Sequence, residues 1–263
     1  MSRYVPLSRK HHQQSGVAPA GHTHALQQPL MPLALEELPQ VLAHMVTAFI
    51  PAKGGGYQLV GLQSLVEGDN VYLDAQGSWT GGYQPAWYRA HPFRIVASAG
   101  GSQFVIYVDE ASPAFRLRGG DGTLALFDAD GEYSEGGQRI VNFLKQLHQA
   151  SLLTGKVLGQ LDQAGLIVPW TPRWSTEATA PGQPLQQLFH IDEEKLRALS
   201  SEQLAGLVRS GALSVAYAQL FSEHRLRHLV ELCETRWSQT VPAATASEED
   251  LFGGDDDVLR FDF

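Results

Sequence analysis

The chain has 263 residues, 43% of them hydrophobic and 18% charged, which is the composition of an ordinary soluble globular protein. No apolar run approaches the ~20 residues that span a bilayer. No apolar segment follows the basic N-terminal residues, as it would in a secretory signal peptide. The single cysteine, Cys233, excludes an intramolecular disulfide and fits a reducing compartment. We therefore expect a cytoplasmic protein, which could associate peripherally with an export system or the cell surface.

The net charge of −9 is concentrated at one end of the sequence. Residues 248–263 hold seven acidic side chains against Arg260 alone, a balance of −6, which leaves about −3 for the rest of the chain. Because binding to phosphate requires clustered lysine and arginine, this distribution argues against nucleic acid as a partner.

The first 30 residues are rich in histidine, glutamine, glycine and proline. Histidine-rich tracts can bind metal ions, so a metal-binding tract is one interpretation. However, no cysteine or carboxylate lies nearby to complete a site, and the histidine spacing matches no closed zinc pattern. We therefore predict a flexible polar arm over residues 1–30 and no metal site.

Residues 31–135 are predicted to be rich in sheet. Apolar residues between Leu35 and Thr47 recur at helical spacing and predict a helix that begins near Glu36. Short β-branched and aromatic segments bounded by turn residues then predict strands at 57–66, 70–74, 93–98, 104–109 and 124–127. The connections are too short for crossover helices, so the sheet should be mainly antiparallel.

Residues 128–135 begin like a calcium-binding loop, with Asp128 and Asp130 at alternate positions. The position that requires a bidentate glutamate is instead Arg139, and the preceding segment is predicted to be a strand rather than a helix. We predict a turn that leads into a helix.

Residues 136–240 are predicted to be helical. One apolar stripe runs from Ile140 to Leu147, and a second predicted helix ends near Gly165. A long loop over 170–184 follows. Further helices are then indicated by caps at Asp192, Ser200 (with Gln203 in a capping box) and Ser222, and by a stop at Gly211. The fold class predicted is α+β, with this helical part packed on the N-terminal sheet.

The segment 69–93 carries six aromatic residues, and we predict that it forms the floor of any ligand or partner site. The candidate binding residues within it are Trp79, Tyr83, Trp87, Tyr88 and Arg89. If residues 83–88 are extended, Trp87 and Tyr88 point to opposite faces and one ring leaves the core. Arg89 beside them could stack on an aromatic ligand or clamp a carboxylate. Alternatively it pairs with an internal acid such as Asp74 or Asp109.

The sequence shows no nucleophile elbow, Walker loop, dinucleotide fingerprint or His-Glu-x-x-His motif. Asp109 and Glu110 at a strand end are a candidate carboxylate pair for acid–base chemistry or binding, although acidic strand ends are common. His224 and His228 could share a metal, but a solvated helix face is the simpler interpretation. Cys233 is predicted to be a buried structural thiol.

The sequence resembles the SapC family, bacterial proteins of about this length, over residues 31 to 232. The segments that carry the resemblance are 61–62 (Gly-Leu), 70–74 (Asn-Val-Tyr-Leu-Asp), 77–79 (Gly-Ser-Trp), 83–93 (Tyr-Gln-Pro-Ala-Trp-Tyr-Arg-Ala-His-Pro-Phe), 108–112 (Val-Asp-Glu-Ala-Ser), 126–132 (Leu-Phe-Asp-Ala-Asp-Gly-Glu), 191–196 (Ile-Asp-Glu-Glu-Lys-Leu), 211–213 (Gly-Ala-Leu) and 216–220 (Ala-Tyr-Ala-Gln-Leu). The N-terminal arm and the acidic tail depart from it.

The resemblance implies a connection with surface-layer or surface-protein export, and it carries over no catalytic residues or cofactor. We therefore expect a non-catalytic accessory or binding protein with a protein or peptide partner, and a homo-oligomer is possible. Some relatives are associated with tryptophan halogenases and cupin-like proteins. The alternative is thus an enzyme or enzyme subunit acting on amino-acid or peptide substrates with a halogenase-like or oxygenase partner.

Residues 241–263 are predicted to be a disordered acidic tail. The first part is rich in Pro, Ala, Thr and Ser, which cannot build a core. Apolar residues then interrupt the acids, and this alternation favours docking onto a basic, apolar groove of a partner or of the chain itself. A plain solubility tail is the alternative. The docking residues predicted are Leu251, Phe252, Leu259, Phe261 and Phe263.

Overall fold

The computed structural model describes residues 3–97, 104–174 and 180–240, which form an α+β fold, as predicted. The strands are β1 (Tyr4–Pro6), β2 (Gly16–Val17), β3 (Leu30–Pro32), β4 (Thr47–Pro51), β5 (Tyr57–Leu62), β6 (Phe93–Ala97), β7 (Phe104–Asp109), β8 (Phe115–Arg116), β9 (Leu124–Ala125), β10 (Ile167–Trp170) and β11 (Leu188–Ile191). The α-helices are α1 (Arg9–His12), α2 (Leu38–Val41), α3 (Ala86–Ala90), α4 (Glu135–Gln163), α5 (Glu193–Arg197), α6 (Ser201–Ser210), α7 (Ala212–Ser222) and α8 (Leu226–Thr240).

The central sheet has five strands in the order β10-β11-β4-β5-β3, and all its pairings are antiparallel. Its hairpin β4–β5 aligns Thr47 with Gly61 and Pro51 with Tyr57. The turn between these strands contains Gly55 and Gly56, whose φ angles of 91° and 70° suit glycine, which lacks a Cβ. The short connections between the predicted strands therefore predicted the antiparallel character correctly.

The N-terminal segment belongs to the sheets, contrary to the flexible arm expected for residues 1–30. Strand β1 pairs with β7 in a sheet ordered β1-β7-β6, and β2 lies between β8 and β9 in a third sheet. His12 is 1% exposed; its Nδ1 accepts from the Ser8 backbone N–H at 2.9 Å, so its Nε2 carries the proton that faces Glu110 at 3.1 Å. These strands are two or three residues long, too short to show a hydrophobic period.

Helix α4 is one continuous helix of 29 residues, where the sequence predicted two. It begins where Ser134 Oγ accepts from the Gly137 backbone N–H at 2.9 Å, at the end of the predicted turn. Gly155 and Gly159 lie within this helix and face open space. In its buried stripe, Leu158 and Leu161 belong to the core that contains β5, and Leu144 belongs to a second apolar cluster with Phe93 of β6.

The caps predicted in the C-terminal third are confirmed at three of four positions. Asp192 accepts from the Lys195 backbone N–H, Ser200 forms a capping box with Gln203, and Gly211 ends α6 with φ 79°. Ser222 is different, because its buried hydroxyl accepts from the Thr47 backbone N–H at 2.9 Å rather than capping a helix.

Two N-terminal predictions are wrong in detail. The helix expected from Glu36 to Thr47 is a 3-10 turn (Leu35–Glu37) followed by the one-turn α2, and Thr47 already opens β4. The strand expected at 70–74 contributes only a bridge between Leu73 and Trp79. Side-chain bonds to the backbone replace the strand, since Asn70 Oδ1 accepts from the Tyr72 N–H at 3.1 Å.

One large apolar core joins the central sheet to α4 and the C-terminal helices. Cys233 lies in this core fully buried, and burial raises the pKa of its thiol to about 11, as expected for a structural thiol. Within the described ranges no single helix has the length and apolarity to cross a membrane; one bent pair, Ser201–Ser210 with Ala212–Gln239, meets both criteria together.

Candidate functional site

A cavity of about 860 Å³ lies between the central sheet, β6 and α4. Small-molecule sites typically enclose ~300–1,000 Å³, so its volume suits a ligand or several side chains of a partner. Three stretches supply most of the wall: the β3–β5 region from Pro32 to Leu59, residues 87–96, and α4 from Leu144 to Gly159. These stretches are distant in sequence and meet because α4 packs across β5 and β6.

The deep part of the wall is apolar. Leu33, Leu59, Phe93, Leu144 and Leu158 are all buried in the protein core and contribute to the cavity surface. The polar side chain of Thr154 is satisfied internally: its Oγ1 donates to the Ala150 carbonyl at 2.7 Å and accepts from the Leu35 N–H at 3.0 Å. The interior therefore favours hydrocarbon or aromatic groups.

The charged part of the wall is entirely basic. Arg94 and Lys156 are exposed at its surface, and the wall contains no Asp or Glu among the described residues. The Arg94 guanidinium lies over the Tyr4 ring at 4.2 Å from its centroid. Neither cation forms an ion pair with any carboxylate in the described part of the chain. In a chain of net charge −9, this wall is suited to a negatively charged group.

Two neutral histidines form one side of the cavity. The His24 and His91 rings stack with centroids 3.6 Å apart and planes 10° from parallel. Burial, with smaller contributions from the nearby His91 and His22, lowers the pKa of His24 to about 3. Burial also lowers the pKa of His91 to about 4, while Asp109 acts in the opposite direction. Both rings are therefore uncharged at neutral pH.

The hydrogen bonds of these two rings differ. His91 Nε2 lies 2.8 Å from Ser112 Oγ. His24 Nε2 is buried and has no hydrogen-bond partner among the described residues, and the Trp87 ring lies 5.6 Å from His24. His24 Nε2 is thus a buried polar atom without a described partner in a residue that lines the cavity.

The buried carboxylate of Glu37 holds this wall in place. Its Oε1 accepts from the Ala86 N–H at 2.6 Å and from the Tyr83 hydroxyl at 3.0 Å, and its Oε2 accepts from the Ala34 N–H at 3.0 Å. These bonds fix the start of α3, which presents Trp87 to the cavity. Sequence reasoning missed Glu37 because it lay at the start of the helix predicted from Glu36.

A smaller pocket of about 220 Å³ lies on the other side of the aromatic segment, lined in part by His44, Arg225 and His228. Arg225 Nε already donates to the Leu42 carbonyl at 3.3 Å, and His228 Nδ1 lies 3.8 Å from Glu231. In the described part of the chain no three His, Cys, Asp or Glu side chains are grouped as metal ligands.

The family model for SapC matches residues 7–229 of the chain. The chain belongs to the SapC family. The match includes most of the N-terminal segment that the sequence analysis set apart, in agreement with its place in the sheets. No curated protein and no solved structure matches the chain.

In this SapC family chain, the aromatic segment contributes two of its six aromatic rings to the cavity, those of Trp87 and Phe93. Residues 86–90 are helical rather than extended, because Pro85 starts α3, and the Trp87 and Tyr88 rings pack edge to face at 5.0 Å. Tyr88 is 1% exposed and its hydroxyl donates to Gln63. The half-buried Trp79 stacks on Tyr72 with centroids 5.5 Å apart.

Arg89 does not form the internal ion pair that was one of its two expected arrangements. Its exposed guanidinium donates to the Tyr83 hydroxyl at 3.2 Å and lies 5.3 Å from the Phe143 ring centroid. It forms no ion pair with Asp74 or Asp109 and does not line the cavity. The cation of the cavity that comes from this region is instead Arg94.

Asp109 and Glu110 hold the N-terminal segment. Asp109 is 2% exposed, and its Oδ1 accepts from the Arg3 N–H at 2.6 Å and the Ala111 N–H at 3.1 Å. Glu110 pairs with the Arg3 guanidinium and with His12. Neither carboxylate lines the cavity. The predicted docking residues of the tail, from Leu251 to Phe263, lie outside the described residues.

The residues that distinguish the cavity, His24, His91, Arg94 and Lys156, were not candidates in the sequence. His24 was attributed to the arm, and Lys156 lies on a helix face that carries no local sign of a cavity. Only the dense aromatic run beside His91 pointed to this part of the molecule.

Proposed function

We propose that this SapC family chain is a non-catalytic accessory or binding protein of a bacterial surface-layer, secretion or surface-protein system. In this proposal, the cavity between α4 and β6 holds an apolar group or segment that carries negative charge. The observation that supports it is the wall itself, which combines a buried apolar interior with Arg94, Lys156 and no described carboxylate. Peripheral association with an export system is part of the same proposal.

The binding free energies expected from the apolar interior and from the two cations of the wall differ in size. Burying an apolar chain of six CH₂ groups contributes about 5 kcal/mol at ~0.8 kcal/mol per group. An exposed cation contributes only about 0.2–1 kcal/mol. Affinity would therefore come from the apolar interior, while Arg94 and Lys156 select the sign of the charge.

The neutral histidines fit binding better than proton transfer. A general base is most effective when its pKa lies near the operating pH, and the pKa values of His24 and His91, about 3 and 4, are far below it. As uncharged rings they supply stacking surface and hydrogen-bonding nitrogens. The unpartnered Nε2 of His24 would bind a polar atom of the occupant.

The alternative, an enzyme or enzyme subunit acting on amino-acid or peptide substrates, is favoured by one observation: strongly shifted pKa values in a cavity are typical of catalytic sites. Such an activity would have to use His24 or His91. Asp109 and Glu110, the carboxylate pair that the sequence offered for acid–base chemistry, are instead bonded to the N-terminal segment.

A fluorescence titration with dansyl-labelled undecanoate, an apolar chain ending in a carboxylate, tests the proposal. We expect saturable binding, and binding weaker by about tenfold in the variant Arg94→Glu/Lys156→Glu, since reversing two exposed charges changes the binding free energy by about 1.4 kcal/mol. The methyl ester of the probe should bind the original chain and the variant alike.

The matched control is Arg139→Glu/Lys145→Glu, which makes the same charge change on exposed positions of α4 outside the wall. It should bind the anionic probe as the original chain does. Equal losses in both variants, or no binding by any chain, would contradict the proposal. Hydrolysis of the ester that is lost on substituting His24 or His91 would support the enzyme.

A further inference from the structure

Among the described residues, no strand pairs with the outer edge of β6, which lies beside the cavity. Strand β6 is the last strand in the order β1-β7-β6. The Asp109 N–H donates to the Pro92 carbonyl at 2.9 Å, and this bond determines which alternate residues of β6 are hydrogen-bonded to β7. The residues aligned with β7 by hydrogen bonds are thus Pro92, Arg94 and Val96. The N–H and C=O groups of Phe93 and Ile95 therefore point away from β7, on the side of the cavity.

Strand β5 has a matching open stretch. Strand β3 covers it from Leu62 to Val60, and one more bond joins the Leu33 N–H to the Leu59 carbonyl at 3.0 Å. Odd-numbered residues of β5 face β3, so Tyr57 presents its backbone to the uncovered side, where it lines the cavity. Exposed strand edges of this kind bind extended peptides by strand addition.

The chain itself contains a segment with the chemistry that this site selects. Residues 248–263 carry a balance of −6, and Leu259, Phe261 and Phe263 alternate with Arg260 and Asp262. Alternation with period two is typical of a strand with one apolar face. Its negative charge complements Arg94 and Lys156, and its apolar residues match the cavity interior.

The linker is long enough to reach the site. Residues 241–256 follow the end of α8 at Thr240 and can extend to about 50 Å at ~3.3 Å per residue. A body of about 240 residues has a radius of gyration of about 18 Å, so a linker of this length reaches most of its surface.

We propose that residues 257–263 bind in the cavity of their own chain as a strand added along β6, with Leu259, Phe261 and Phe263 toward the apolar interior. The inference rests on the proposed binding function, because the tail would compete with the partner for the same cavity. The acidic segment then competes with external partners for the cavity. A partner that binds the cavity more weakly than the tethered segment does would fail to displace it.

Because the tail is attached to the chain, its competition with an external ligand for the cavity should be large enough to measure. A short linker supplies an effective concentration of about 1 mM, so a segment that binds in trans with a Kd of about 0.1 mM would occupy the cavity in roughly nine of ten molecules. The affinity of an external ligand would fall by about tenfold as a result.

The test uses three full-length chains: the original, the motif variant Leu259→Ser/Phe261→Ser/Phe263→Ser, and the linker control Val241→Ser/Ala243→Ser/Ala244→Ser. We expect the motif variant to bind dansyl-undecanoate about tenfold more tightly than the other two. Amide hydrogen exchange at Phe93, Ile95 and Tyr57 should be faster in the motif variant alone. A synthetic peptide of residues 248–263 should displace the probe from this variant, and a peptide of scrambled order should not.

Equal probe affinity and equal exchange in the three chains would overturn the proposal while leaving the binding function intact. If no chain binds the probe, the proposed function fails, and the exchange rates alone then decide whether the tail covers β6.

Discussion

The C-terminal helices α5–α8 and the cavity wall are specified in opposite ways. Around α5 and α6, boundaries are set by residues within a few positions, such as Ser200 with Gln203. The cavity instead joins Tyr4 and His24 to Lys156, which lies more than a hundred residues further along the chain. Helix boundaries that depend on local hydrogen bonds can be predicted from the sequence, whereas a cavity wall made by long-range packing cannot. The following predictions test how far this difference extends to stability and pH dependence.

The largest expected effect is at Glu37, which connects its own segment to residues 83–86 beside the cavity. Replacing Glu37 with Ala leaves the Ala34 and Ala86 N–H groups and the Tyr83 hydroxyl without their acceptor. Buried donors without partners cost ~1–3 kcal/mol each, and with partial relaxation we expect a loss of about 3 kcal/mol in the free energy of unfolding. Urea denaturation measures it. The neighbouring exposed Glu36→Ala is the control and should change stability by less than about 0.5 kcal/mol.

The second effect is a pH dependence confined to the cavity region. In the folded chain the pKa values of His24 and His91 are about 3 and 4, whereas the ordinary value is near 6.5. Between about pH 4 and 6.5 the unfolded chain therefore binds more protons than the folded chain. The contribution of the two neutral histidines to the free energy of unfolding is thus fully present above pH 6.5 and is lost as pH falls. His22, Asp109 and Arg94 face the same pair and modulate it.

Because both rings are partly exposed, their combined contribution is discounted to about 1–2 kcal/mol between pH 7 and pH 5. Thermal unfolding across this range should show a smaller slope for His24→Asn/His91→Asn than for the original chain. The exposed His224→Asn should retain the original slope. If stability changed equally with pH in the original chain and in both variants, the stacked histidines would not have the lowered pKa values given above.

The third effect tests the local specification of the helices. Ser200→Ala removes an acceptor from the Gln203 N–H, and Gly211→Ala places a Cβ on a residue with φ 79°. Each should destabilise the protein by about 1 kcal/mol. Ser201→Ala, inside the first turn, is the control. Probe binding should be unchanged in all three, since their effects are confined to the helices.

The smallest effect is at Arg89, the residue that sequence analysis placed in a site. Its exposed contacts with Tyr83 and Phe143 predict a loss below about 1 kcal/mol for Arg89→Met. Binding of the anionic probe should be within twofold of the original chain. A tenfold loss of binding with intact folding would restore Arg89 to the site and move the binding surface outside the cavity.

The difference between predicted and observed structure follows the same physical division. Strand β7 was predicted with its exact bounds, and the caps at Asp192, Ser200 and Gly211 were found because each depends on a few neighbouring residues.

The cavity escaped prediction because each of its parts has an ordinary local pattern. His24 lies in a polar segment, Arg94 in a short strand, and Lys156 on the exposed face of α4. Only the packing of α4 across β5 and β6 brings these residues together.

A crystal structure of the full-length motif variant with dansyl-undecanoate bound tests the central claim most directly. The account predicts the hydrocarbon chain against Leu144 and Leu158 and the carboxylate within about 4 Å of Arg94 or Lys156, the range of an ion pair. A probe bound elsewhere, for example in the small pocket beside Arg225 and His228, with the cavity empty, would contradict it.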